Sequence, residues 1–339
     1  MRNSEELIIN VLREAGEDGI TQVELTRITG LSRSRISEIL SKLEREGKII
    51  RIRLPGRTYL VKLAHYRVKE KAKILNIGIL RALEYPFIIP FIKRLRSKGF
   101  RVHLWVYDNA IPATYELVRG ILDLALTPII TQFYFYELTK ALRIIGGGAV
   151  GGAFIVLSPR RGDLSLSDLD TLRAASTKFS TMEICGLALT KGKMSRIYVH
   201  KAEDFIKYLL KGVADYAVTW QPYVKILEER GCNVFAKCED IIGPYHCCTL
   251  AVSMGIDDNT ISLLTKLYEE SFKDIKSNVN EFMKVLSRII GINEDYAKYS
   301  LNAYSFLEYI DLKIAINPLR RAYVNLPDPL RLNEALWRL

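Results

Sequence analysis

Gly19-Ile20-Thr21-Gln22-Val23-Glu24-Leu25, Leu31-Ser32-Arg33-Ser34-Arg35-Ile36-Ser37-Glu38-Ile39-Leu40 and Leu54-Pro55-Gly56-Arg57-Thr58-Tyr59-Leu60 define a compact unit near the start of the chain. Thr21 and Glu24 have capping-box spacing, so a short helix begins there and stops at Gly30. Ser32 is an N-cap for a second helix, with Leu31 placed to staple onto Ile36. Ile36, Ile39, Leu40 and Leu43 fall on one side at helical spacing, which buries that face. The opposite side presents Ser34, Glu38, Ser41 and Arg45, flanked by Arg35, Ser37 and Lys42. Gly47 ends the helix. Two alternating runs, 49–53 and 58–62, then surround Pro55-Gly56, which suits the centre of a type II turn and puts Arg57 at a hairpin tip.

Charge concentrates on this element. Residues 33–62 hold nine Lys or Arg against three Glu, a balance of +6 in a chain of net charge +11. Such a concentration suits a phosphate-binding surface, and the exposed helix face suits base edges in a major groove. The candidate DNA-contacting residues are Arg33, Ser34, Arg35, Ser37, Glu38, Ser41, Lys42, Arg45 and Arg57. Residues 4–63 resemble the winged helix-turn-helix domains of MarR-type and related archaeal regulators. That resemblance implies double-stranded DNA as a partner.

At 339 residues the chain has room for two or three compact units. The division expected is a winged helix-turn-helix over 1–63, a linker over 64–72 and an α/β unit over 73–339. The N-terminus opens on charged residues rather than a leader pattern. The longest apolar-plus-glycine stretch, 144–157, contains five glycines and is too short to span a bilayer. The expectation is a cytoplasmic protein with no membrane partner. Three glutamines in the whole chain, beside abundant Ile, Lys, Arg and Glu, hint at a thermophile.

From Ile74 onward, candidate strands and helices alternate, which argues for an α/β domain with largely parallel sheets. Gly212-Val213-Ala214-Asp215-Tyr216-Ala217-Val218-Thr219-Trp220-Gln221-Pro222-Tyr223 looks like the crossing segment of type II periplasmic-binding-protein-like domains. The similar group includes sulfonate, nitrate and thiamine-precursor binders. Gly120-Ile121-Leu122-Asp123-Leu124-Ala125-Leu126-Thr127-Pro128 resembles that family's earlier strand, and 166–190 fits a second lobe beginning near Leu164. The resemblance covers 73–275 and implies two lobes, two crossings and a small ligand between them.

Ligands of open α/β sheets bind beyond the carboxyl ends of strands. That nominates Arg81, Tyr85, Asn109 and Thr127 in the first lobe, and Ser176, Thr177, Ser180, Thr181, Trp220 and Gln221 in the second. Hydroxyls and amides at a helix start suit an anionic group, and Trp220 suits a flat ring. Gly146, Gly148 and Gly151 spell a dinucleotide-type string, but a strand pattern follows where that fingerprint needs a helix. These glycines read as pocket lining or a tight crossing, and no cofactor is expected. The five cysteines form no C-x-x-C pair. They read as buried small residues, with His246, Cys247 and Cys248 beside Cys232 and Cys238 as an alternative metal cluster.

The combined reading is a ligand-responsive transcriptional regulator, with a domain order like that of LysR-type regulators but without their long linker helix. The alternative is an enzyme on the same two-lobed fold, of the thiamine-pyrimidine or menaquinone biosynthesis type, with His246-Cys247-Cys248 near the cleft. A homodimer is expected, because one small head contacts few base pairs. The apolar tail carrying Leu330, Leu332, Leu336, Trp337 and Leu339 is its favoured surface.

Overall fold

The computed structural model describes residues 2–16, 19–53, 59–64, 74–161, 165–321 and 332–337. The chain divides into two compact units, Met1–Ile74 and Leu75–Leu339.

The first unit runs α1 (Arg2–Ala15), β1 (Ile20–Thr21), α2 (Gln22–Thr29), α3 (Arg33–Arg45), β2 (Ile49–Arg53) and β3 (Tyr59–Leu63). Its sheet has the order β1-β3-β2 and is antiparallel throughout. Local chemistry sets the helix ends. Thr21 and Glu24 close a reciprocal capping box, Gly30 stops α2 in the left-handed region at φ 68, and the Ser32 side chain caps α3. Ile8, Leu12, Leu25, Ile36, Leu40, Leu43, Val61 and Leu63 bury together as its core. The Pro55-Gly56 turn and Arg57 lie outside the described residues, as does most of the 64–72 segment.

The second unit opens with β4 (Ile74–Leu80), α4 (Ile88–Ser97), β5 (Arg101–Tyr107), α5 (Ala110–Val118), β6 (Leu124–Pro128), α6 (Ile129–Thr139) and β7 (Leu142–Gly151). It continues with β8 (Ala153–Leu157), β9 (Arg173–Ser176), α7 (Thr181–Leu189), β10 (Ser195–Tyr198), α8 (Glu203–Lys211), β11 (Tyr216–Trp220), α9 (Tyr223–Glu228), β12 (Asn233–Lys237) and α10 (Cys238–Ile242). Then come β13 (His246–Ser253), α11 (Asp258–Ile290), α12 (Tyr296–Leu301), β14 (Tyr304–Leu307), α13 (Leu312–Arg321) and α14 (Leu332–Ala335).

Two sheets result, each the centre of a lobe. The six-stranded one has the order β14-β7-β13-β6-β4-β5, and the five-stranded one the order β10-β9-β11-β8-β12. Parallel pairs (β4 with β6, β9 with β10 and β11) mix with antiparallel ones in both. Strands covered on both faces read as unbroken apolar runs rather than alternations. All five residues of β11 and all eight of β13 are buried accordingly.

The chain crosses between lobes at Gly152 and again between α10 and β13. The two crossings lie side by side: the Gly151 N–H donates to the Tyr245 carbonyl at 3.1 Å, and the Ala153 N–H to the Tyr245 hydroxyl at 3.0 Å. This corrects the expectation for Gly212–Tyr223, which lies within the second lobe as the end of α8, β11 and the start of α9. The second lobe also begins at β8, earlier than Leu164. Gly146, Gly148 and Gly151 all belong to β7.

The tail docks on its own lobe. Leu336 forms a parallel bridge with Ile144, the Trp337 N–H donates to the Ile144 carbonyl at 2.9 Å, and the Arg143 guanidinium lies 4.9 Å over the Trp337 ring. The expectation that this tail is a partner surface is therefore overturned for Leu336 and Trp337. Leu330, Leu339 and the Leu332 side chain lie outside the described residues. No helix among the described residues is long and apolar enough to cross a membrane.

Candidate functional site

A cavity lies between the lobes, as the strand-end rule requires. The first lobe lines it with Glu84, Asp108, Asn109, Cys247 and Cys248, and the second with Thr177, Lys178, Ser180, Met182 and Trp220. Its accessible space is about 20 Å³, room for about one water molecule.

The lining is chemically mixed. Asn109 caps α5, its Oδ1 accepting the Ile111 N–H at 2.9 Å. Ser180 caps α7, accepting from the Glu183 N–H at 3.3 Å while its hydroxyl donates to the Thr177 carbonyl at 2.7 Å. Two helix N-termini therefore face the cavity, with Lys178 between Thr177 and the α7 cap. The Trp220 indole packs edge-on to Phe205 and Tyr223, at centroid separations of 5.6 and 5.7 Å. Its Nε1 has no hydrogen-bond partner although the residue is only 8% exposed.

Glu84 is the least expected member. It is 3% exposed, and its Oε2 has no partner. Burial raises its carboxyl above the ordinary range, against hydrogen bonds with Cys248, Tyr85 and Cys247 that pull it down. The Tyr85 hydroxyl donates to Cys248 Sγ at 3.2 Å. Burial also drives the Cys248 thiol up. Cys247 ends at about 11, a hydrogen bond with Cys248 pulling it down while burial and Glu84 push it up. Both thiols are held protonated at neutral pH.

Of the residues nominated from sequence, Asn109, Thr177, Ser180 and Trp220 meet in this cavity. The other six lie elsewhere. Arg81 is tied to Asp108 at 2.7 Å and to the Ile290 carbonyl, on its own lobe. Tyr85 is fully buried behind Cys248. Thr127 is a satisfied core hydroxyl, bonded by Thr114 at 3.0 Å and by Gln132 at 3.2 Å. Ser176 and Thr181 are buried, with hydroxyls that find no partner. Gln221 turns to a different cavity of about 350 Å³ beside the crossings, lined also by Lys237, Glu239, Tyr299 and Tyr304. The missed members Glu84, Asp108 and Lys178 each adjoin a nominated residue in the chain, whereas Cys247 and Cys248 enter from the sequence only as members of the alternative metal cluster.

On the first unit, Arg33, Ser34, Glu38, Lys42 and Arg45 are exposed along α3, and Arg35, Ser37 and Ser41 are half-buried. Arg35 pairs with Glu38 at 2.7 Å, and Lys42 with Glu5 at 2.5 Å. Among the described residues Arg33 and Arg45 make no ion pair, and the Arg45 Nε donates to the Ser41 carbonyl at 3.2 Å.

Residues 1–64 match a family described as a domain of unknown function, DUF7343. No curated protein matches the chain. Solved structures match the larger unit. The ligand-binding component of an ABC-type import system from Staphylococcus aureus, solved with zinc bound, is 16% identical with a TM-score of 0.64, over 78% of this chain and 99% of that one. The alkanesulfonate-binding protein SsuA from Xanthomonas axonopodis, bound to MOPS, is 15% identical with a TM-score of 0.64, over 78% and 98%. A Candida albicans protein described as defining a new family with the generic periplasmic binding protein fold is 10% identical with a TM-score of 0.62, over 78% and 96%. The larger unit has the two-lobed α/β fold of these periplasmic-binding-protein-like structures.

Proposed function

We propose that this chain is a cytoplasmic, ligand-responsive DNA-binding regulator and not an enzyme. The first unit acts as a winged helix-turn-helix, α3 being its recognition helix and the 49–63 hairpin its wing. The observation that carries this reading is the outward face of α3. Arg33 and Arg45 stand exposed and unpaired among the described residues, with Ser34 and Glu38 between them. Arg and small hydroxyl side chains on such a face meet phosphates and base edges. Arg35, held by Glu38, is preorganised to point along the face rather than sweep it.

In this reading the larger unit binds a small effector between its lobes. Asn109, Ser180, Thr177 and Lys178 suit an anionic group, since helix N-termini and a cation converge there. Trp220 offers a flat apolar wall and an unpaired indole donor. Linkage supplies the control: an effector that favours one lobe arrangement shifts DNA affinity by its differential affinity for the two. Two copies acting on paired half-sites remain part of the proposal, with a surface other than the docked tail.

The test is fluorescence anisotropy of the full chain on duplex DNA across a salt series. Replacing Arg33, Arg45 and Arg57 by Ala together is expected to lower affinity and reduce the magnitude of the log–log salt slope by about 3, one unit for each phosphate left without its arginine. Unchanged binding and slope would sink the assignment. Cys247 and Cys248 beside Glu84 favour a second reading, catalysis in the cavity, and turnover of a thiamine-pyrimidine or menaquinone precursor by the purified chain would establish it.

A further inference from the structure

Adjacent residues of a regular strand point to opposite faces. Cys247 and Cys248 do not obey this. In β13, His246 pairs with Val150 and Thr249 with Gly148, so the two cysteines stand against Ala149 alone, an extra residue that breaks the alternation. Gly148 makes the irregularity possible, since a Cβ there would lie 2.1 Å from the Cys248 carbonyl oxygen. Both sulfurs and a Glu84 carboxyl oxygen come within 4.8 Å of one another. All three residues line the interlobe cavity.

We propose that Glu84, Cys247 and Cys248 form a binding site for a thiophilic divalent cation such as zinc. Two sulfurs and one carboxyl oxygen are a donor set suited to zinc, and three protein donors leave one position for water or a ligand atom. A buried carboxyl oxygen without a partner carries a desolvation cost that coordination removes. The accessible space of about 20 Å³ is of the order of a single ion or water. Binding releases the two thiol protons to solvent as the sulfurs become thiolate donors, and the Glu84 carboxyl donates an oxygen in its ionised form. With two thiolates and one carboxylate on a divalent ion, the site then carries one net negative charge. The remaining cysteines do not share it: Cys185, Cys232 and Cys238 are buried and belong to no such group among the described residues.

The site holds whether or not the chain binds DNA, and it is read with the metal alone. The reduced full-length protein is titrated with zinc against a chromophoric chelator, and with cadmium while the thiolate-to-metal charge-transfer band is followed. One equivalent is expected for each metal. Cys247→Ser with Cys248→Ser is expected to abolish the band and weaken zinc by more than the roughly 10–100-fold typical of outer-sphere partners. Glu84→Gln should weaken zinc while keeping the band, and Cys232→Ser should change neither. X-ray absorption at the zinc edge on the unmutated protein needs no variant to fold, and two sulfurs in the first shell are expected. A shell of nitrogen and oxygen only, or a cadmium band that survives the double serine change, overturns the proposal.

Discussion

Replacing Gly152 by alanine tests how the two lobes are joined. Gly152 follows β7 at φ 88, a backbone region that side chains rarely adopt. A Cβ there would lie 1.8 Å from a ring carbon of Tyr304. That ring cannot swing away easily, because it is 8% exposed and its hydroxyl donates to the Gln221 carbonyl at 3.3 Å. The backbone penalty is about 1–2 kcal/mol. Forcing a methyl into filled space adds about 1–3 kcal/mol. Gly152→Ala should therefore cost the larger unit about 2–5 kcal/mol, a fall of roughly 4–20 °C in its thermal midpoint. Trp105, Trp220 and Trp337 all lie in that unit, so tryptophan fluorescence reports its unfolding without the first unit. Tyr304→Ala alone leaves a hole and costs about 3–5 kcal/mol. Combined with Gly152→Ala it should return the steric part, about 1–3 kcal/mol, and leave the backbone part. A single-variant cost below about 0.5 kcal/mol, or strict additivity of the pair, refutes the reasoning.

Two further outcomes concern the same unit. Burial pulls the Asp215 carboxyl up, but the Arg173 backbone N–H at 2.9 Å and Arg161 at 2.8 Å pull it further down, so it ends below the ordinary carboxylate range. Its stabilisation is present above about pH 4 and lost as pH falls through the lowered value. Asp215→Asn should thus cost about 1–3 kcal/mol at pH 7, and denaturant melts should show the gap from the unmutated chain narrowing below pH 4. A chain ending at Arg331 lacks the docked Leu336 and Trp337. It should melt with about 2 kcal/mol less stability and keep its oligomeric state by light scattering. A tail-dependent change of mass would restore the partner surface excluded above.

The first unit was legible because its signals are local. Thr21 with Glu24, Ser32, and the glycines after each helix act within four residues, and the apolar face of α3 repeats at helical spacing. The strands of the larger unit were legible as apolar runs. α6 was not, because Ile129 to Phe133 are all buried and leave no polar face to mark a helix. β14 hides among helices, its partner β7 lying some 150 residues earlier in the chain. The cavity was half legible. Trp220 and Ser180 follow from strand and helix ends, but Gln221 turns away from its neighbour at the end of β11. The meeting of Cys247, Cys248 and Glu84 depends on a register shift against β7 that no local pattern encodes.

The order of the strands also sets when this protein can be finished on the ribosome. The second lobe is a continuous insertion, complete once α10 emerges. The first lobe has to wait, because β13 lies between β6 and β7 in its sheet and is made 95 residues after β7 ends (246 − 151). At ordinary elongation rates the edges of β6 and β7 stay unpaired for about 5–20 s. Open edges of apolar strands recruit other chains, so nascent first lobes are where aggregation or chaperone capture should concentrate. A translation arrest placed between 157 and 245 should accordingly yield a folded-lobe-poor, chaperone-bound chain, and one placed after β14 should not.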